Sequence, residues 1–484
     1  MTSIHDQAMN HVYQQILQRL LGFFSRAERT ALQLLIQRLV VAAGGMERLA
    51  DYKVLVIQNG SRDSCYTLAL LRAAQLSIAG RAPTTFRLRV ASLAQNGVSA
   101  SALDNIHNSY SALFLYDDSR VEVLKVDNRE VLPFTHPTPI SEAGREINRL
   151  NLLMVGHRRE SDEAADLWDN GYLATGEFYG QIARWDGGVD ALVSSETPRQ
   201  QKHFLCGLKR ATAKAGFLPS RCNEAGFEDL FTLLDELGAE CYRGFEPELM
   251  QPHWRPAELF ETCRRTTFID IHDMLVSNLE ERWPLLTELL GFQPDGLMAY
   301  ASDNESVSLE LSAHVRGLQA CFMDGDSYDS GVAEFFQRAL VMMRRKQLTD
   351  RVCQQAAQVF GKLCADAEQR ALGTAHTQKY LGLSEAQLVC LLFAPFVNKG
   401  AGLERFLRRC HPGMLVAMPD LHRAMQGHAV SEQILQWMVD VSGLPVILMG
   451  KLYRMEQVVE RAQDACAITC DTDNTQEGEW STGR

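Results

Sequence analysis

Lys53-Val54-Leu55-Val56-Ile57 is a short, β-branched apolar run that leads straight into the polar stretch Gln58-Asn59-Gly60-Ser61-Arg62-Asp63. A run of this length and composition reads as a buried strand, because branched side chains pack well on a pleated surface. Ser64–Ile78 then places Leu68, Leu71 and Ile78 at helical spacing and stops at Gly80. Thr84–Leu93 alternates Phe86, Leu88 and Val90 with Arg87 and Arg89, the two-residue period of a second strand. Strand, loop, helix and strand in this order make a βαβ unit, whose parallel crossover is right-handed.

Upstream, Ile4–Phe24 and Ala27–Ala43 read as an antiparallel helical pair, with Ile16, Leu17, Leu20, Leu21 and Phe24 on one stripe. Ser25-Arg26-Ala27-Glu28 has the form of a capping box, and Gly44-Gly45 ends the second helix. Downstream, Ala112–Tyr116, Val121–Val126 and Val131–Phe134 read as strands of a meander, so the sheet is expected to be mixed. Prolines 133, 137 and 139 mark its exit near Ile140. Leu150–Val155 and Val189–Ser194 read as further strands, Glu228–Leu237 as an amphipathic helix, and the proline-rich Phe245–Pro256 as a linker.

Beyond the linker, Ala257–Arg265 and Ile271–Leu290 read as helices, the second split by Pro284, and Val307–Leu311 reads as a strand. Phe335–Met343, Val352–Ala365, Ser384–Pro395, Leu403–Cys410, Ser431–Val441 and Pro445–Ala462 form a helical bundle. The fold class is therefore mixed α/β: an N-terminal helical pair and a mixed-sheet α/β domain, followed by a mainly helical C-terminal domain. The expected divisions are 1–48, 49–140, 141–255 and 256–467, with a polar tail over 468–484.

The chain has 484 residues, 46% of them hydrophobic and 22% charged. A single core rarely grows beyond about 250–300 residues, so two or three domains are expected. The longest apolar runs, Leu388–Val397 and Leu444–Met449, fall well short of the roughly 20 residues that span a bilayer. Met1–Gln18 lacks the pattern of a signal peptide, and the expected address is the cytoplasm. The 12 cysteines are scattered between Cys65 and Cys470 with no CxxC pair, which fits reduced thiols better than a disulfide framework. A net charge of −12 disfavours coating of nucleic acid, which relies on neutralising phosphates.

Three places carry candidate chemistry. Gly60, Ser61, Arg62 and Ser64 lie between a strand and a helix, where free N–H groups and the helix dipole favour a small anion. Neither GxGxxG nor GxxxxGK[ST] is present, so no cofactor is assigned, and an ordinary capped turn remains the alternative. Asp270-Ile271-His272-Asp273 offers two carboxylates and an imidazole for proton transfer. On a helix Asp270 and Asp273 share a face; on a strand Asp270 and His272 do. Arg199, Lys202, Lys209, Arg210 and Lys214, with His203 and Arg221 nearby, form a basic stretch suited to an anion or an acidic partner, or simply to a solvated helix face.

Weaker constellations are Glu177, Tyr179, Arg184, Asp186 and Asp190 beside Trp185, and the sparse Cys410-His411, His422, His428 and Cys466/Cys470 sets, none of which has metal-site spacing. No metal is expected. No G-x-S-x-G elbow is present, nor a cysteine in a recognisable catalytic context. The leading expectation is a cytoplasmic regulatory or adaptor protein, engaging a protein partner through amphipathic helices and a small anionic ligand near Gly60. An enzyme acting on a phosphorylated or nucleotide-like substrate is the alternative, and nucleic-acid contact through 199–221 is a second.

Overall fold

The computed structural model describes residues 4–82, 84–96, 98–137, 140–158, 170–194, 196, 201, 204–205, 208, 230–238, 266–274, 279–293, 309–345, 350–365 and 368–455. Its centre is a sheet of six strands, β1 (Lys53–Ile57), β2 (Arg87–Leu93), β3 (Val121–Asp127), β4 (Glu130–Pro133), β5 (Ala191–Ser194) and β6 (Thr267–Asp270). They lie in the order β4-β3-β2-β1-β5-β6. All neighbours are parallel except β3 and β4, a hairpin turned by Asn128 and Arg129, both at positive φ.

Period-2 alternation decides which residues enter which core. Val54, Val56, Leu88, Val90, Ala191, Val193 and Ile269 face one side of the sheet, and Leu55, Ala91, Leu124, Val126 and Leu192 face the other. Both faces are covered, which is why β1 and β5 carry apolar residues at nearly every position. The first face packs against α1 (Ile4–Phe23), α2 (Arg26–Ala43), α3 (Arg62–Ala79), α4 (Ala100–Ala112) and residues Leu285–Leu290. The second packs against α5 (Glu142–Gly156), α6 (Asn170–Arg184), the helical segment 230–238 and the C-terminal helices.

The helical hairpin folds as its sequence specifies. Ser25 Oγ accepts from the Glu28 N–H, and Glu28 returns a bond to the Ser25 N–H at 2.7 Å. Glu28 is itself 3% exposed and takes the Tyr66 hydroxyl, which ties the cap of α2 to α3. On α3, Arg72 is wholly buried and bonds to Asp118 at 2.8 Å, to Gln75 at 2.6 Å and to the Leu113 carbonyl.

Several elements differ from expectation. Ala112–Tyr116 is not a strand: Ala112 ends α4 and the next residues turn. Leu150–Val155 is the last part of α5, buried between the sheet and the C-terminal helices, where a continuous apolar run suits a helix as well as a strand. Leu309–Leu311 opens the helix Leu309–Gln319 rather than ending a strand. Pro284 does divide its helix, with a π turn at Leu285–Leu289 following it. The boundary expected at residue 140 falls inside the sheet, since β5 and β6 both lie beyond it.

The C-terminal half is helical, as Leu309–Gln319, Tyr328–Arg345, Asp350–Ala365, Gln369–Leu381, Glu385–Phe393, Leu403–Cys410, Met418–Met425, Glu432–Ser442 and Val446–Arg454. Among the described residues no single helix is long and apolar enough to cross a membrane. These helices join the sheet through α5, which contacts both Gln369–Leu381 and Glu385–Phe393. Gly156 makes room for that contact: a Cβ there would lie 2.6 Å from the Leu391 side chain.

Candidate functional site

The strand order creates the site. From β1 the chain winds outward through β2 to β3 and β4, then returns to the opposite side of β1 for β5 and β6. Connections leaving the carboxyl ends of β1 and β5 therefore diverge, and such a reversal opens a crevice at that edge of a parallel sheet. The Gly60 loop follows β1, Glu196 follows β5, and Asp270 ends β6.

At the first of these, Gly60 is obligatory: its φ is +78°, and a Cβ would lie 2.3 Å from the Ala102 carbonyl oxygen on α4. Its N–H donates to Gln58 Oε1 at 3.1 Å and its carbonyl accepts from Asn105 Nδ2 at 3.3 Å. Asn105 also bridges to the Gln293 backbone in both directions, at 2.9 and 2.8 Å. Ser61 is the N-cap of α3, its Oγ accepting from the Ser64 N–H at 3.2 Å. The Ser64 hydroxyl donates to Gln58 Oε1. Arg62 lies against the adjacent Asp63 carboxylate, with both contacts at 3.3 Å.

Gln58 is therefore the hub of the loop, and it is 1% exposed. Its Oε1 is fixed by the Gly60 N–H, since the opposite amide orientation would set two donors against each other. Its Nε2 is left buried at the start of α3 with no hydrogen-bond partner among the described residues. An unmade buried hydrogen bond of this kind costs about 1–3 kcal/mol, a cost that a bound acceptor would remove.

Asp270, His272 and Asp273 sit at the same edge, two strands away. Asp270 closes β6 and accepts from the His272 N–H at 2.8 Å, after which His272–Met274 forms a single 3-10 turn. The segment thus begins as a strand and ends as a turn, and neither of the two regular arrangements expected for it applies. Gln201 Nε2 joins the strand ends, donating to the Glu196 carbonyl at 3.1 Å and to Asp270 Oδ2 at 3.3 Å. Glu196 is solvent-exposed as a residue, yet the protein around its carboxyl desolvates it enough to push it above its ordinary range, and the charges of Asp270 and Asp63 push it further. That coupling brings the two candidate stretches into one electrostatic neighbourhood.

The remaining candidates do not converge. Glu177 pairs with Arg129 at 2.9 Å beside a cavity of about 20 Å³, room for one water. Asp186 and Asp190 instead hold Lys53 at the amino end of β1, at the opposite edge of the sheet. His422 bonds to the Tyr453 hydroxyl and His411 packs edge-on against Trp437. Among the described residues no group of three or more His, Cys, Asp or Glu could hold a metal ion. Arg199, Lys202, Lys209, Arg210 and Lys214, together with Cys466 and Cys470, lie outside the described residues.

Gln58, Asn105 and Glu196 were not singled out from the sequence. Gln58 carried a signal, as the first polar residue after a buried strand. Asn105 had none, because α4 reads as polar and only its packing on the loop gives it a role. Compared with protein-family models, curated proteins and solved structures, the chain matches none.

Proposed function

We propose that this chain is a regulatory or adaptor protein that binds a small anionic ligand at the N-terminus of α3 and engages a protein partner through its helical C-terminal half. The observation that carries the ligand site is the buried Gln58 Nε2, without a hydrogen-bond partner among the described residues, at the start of an 18-residue helix and at the reversal of strand order. Backbone N–H groups and the helix dipole add to its preference for a phosphate or carboxylate oxygen. Exposed apolar residues on α2, Leu34 at 48% and Val41 at 78%, one helical face seven residues apart, support a role in protein contacts beyond the C-terminal half. The test is a thermal-shift screen of the whole protein with nucleotides, sugar phosphates and dicarboxylates. A ligand at about 100 times its Kd adds roughly 2.7 kcal/mol of apparent stability. We expect Gln58→Leu to abolish the shift, and a screen with no stabilising anion would refute the site.

The second reading is an enzyme acting on a phosphorylated substrate. It is favoured by the placement of Glu196 and Asp270 at the same sheet edge, joined by Gln201, where a carboxyl group can exchange protons with a bound molecule. It requires turnover that Glu196→Gln removes while ligand binding persists.

A further inference from the structure

This edge of the sheet offers an anion-seeking end and, among the described residues, a group of carboxylates on the neighbouring strand ends. Strand order fixes which groups share this edge. Val56 pairs with Val193 as the last paired residues of β1 and β5, and Gln58 and Glu196 follow them two and three residues later at the carboxyl ends of adjacent strands. Ser194 pairs with Asp270, which places that carboxylate one strand further on, with Gln201 bonded to both connections. Asp63 completes the group from the first turn of α3. Arg62 is the cation of the loop and already faces Asp63, while the Arg38 guanidinium contacts the Asp270 backbone carbonyl rather than its carboxylate. Glu196 is exposed and Asp270 half-buried, so both are within reach of a bound molecule.

We infer that the ligand of this crevice is amphoteric, with a phosphate or carboxylate for the Gln58 amide and the α3 N-terminus, and an ammonium group within a few bonds of it for Glu196 and Asp270. This rests on the ligand site proposed above and narrows its ligand class. A purely anionic molecule would meet the carboxylates as like charges, whereas an added ammonium turns the same groups into partners. The raised Glu196 carboxyl is consistent with this, since a neighbouring ammonium would relieve the crowding of negative charge.

The experiment is calorimetric titration of the full chain at pH 7.5 with phosphoethanolamine, ethyl phosphate and ethanolamine, in wild type, Glu196→Gln and Gln58→Leu. We expect phosphoethanolamine to bind at least about 10-fold more tightly than either single-charge probe. Glu196→Gln should erase that advantage while leaving ethyl phosphate bound, and Gln58→Leu should weaken both phosphates. Equal affinity for ethyl phosphate and phosphoethanolamine, or an advantage that persists in Glu196→Gln, overturns the amphoteric assignment but leaves the anion site standing. Failure of all three probes to bind wild type overturns both.

Discussion

Asp118 anchors the buried Arg72 of α3 and pairs with Arg120 as well. Burial alone would raise its carboxyl, but hydrogen bonds from Arg120 and the charge of Arg72 reverse that and hold it at about 2. Its pKa in the fold is thus below the ordinary 3.8, so its contribution is complete above 3.8 and is lost as pH falls toward 2. Asp118→Ala should cost about 3–5 kcal/mol in a denaturant titration at pH 7, because it strands the wholly buried Arg72. His157 works in the same pH direction by a different route. It is 0% exposed, neither ring nitrogen has a partner among the described residues, and burial lowers its pKa from 6.5 to about 3. Below pH 6.5 the unfolded chain binds a proton that the folded chain refuses, so stability drains away between pH 6.5 and 3. His157→Phe should flatten that part of the pH–Tm curve, and a curve identical to wild type would contradict the assignment. At Gly60, alanine should cost more than about 1 kcal/mol, from the positive φ and the Ala102 clash together. The same change should eliminate ligand-induced stabilisation.

Among the elements, those whose burial pattern is local were legible. β1, the loop and α3 stand where Lys53–Ile78 places them, because an apolar pentad, a glycine turn and a 3.6-residue period are each written within a few residues. The capping box at Ser25-Glu28 was equally plain, and Ser25→Ala should lower stability by roughly 1 kcal/mol, measurable by urea unfolding. Leu150–Val155 failed for a definite reason. It is covered by the sheet on one side and by the C-terminal helices on the other, so the amphipathic stripe that marks a surface helix is blurred over its last turns. α4 drew no expectation at all: its serines and asparagines mask a helix whose buried side is set by Asn105, Ile106, Ser109 and Tyr110.

On the scale of the whole molecule, the helical half and the α/β half share one core, which runs from Leu55 to Tyr453. Arg149 extends the junction by donating to the Gly443 carbonyl at 2.8 Å. Gly156→Val should therefore loosen the two halves together, lowering a single cooperative Tm rather than splitting the transition. Two separated transitions in calorimetry would show that the halves unfold independently.

Local order was determined by the sequence alone: strand and helix periods, caps, and the place of a glycine turn after a buried strand follow from neighbouring residues. The tertiary structure decided which strands pair across distance, and hence that β5 and β6 return to the far side of β1. Only that return sets Glu196 and Asp270 at the same edge of the sheet as Gln58. Backbone pairing between segments more than 130 residues apart depends on the packing of both sheet faces, and no local pattern encodes it.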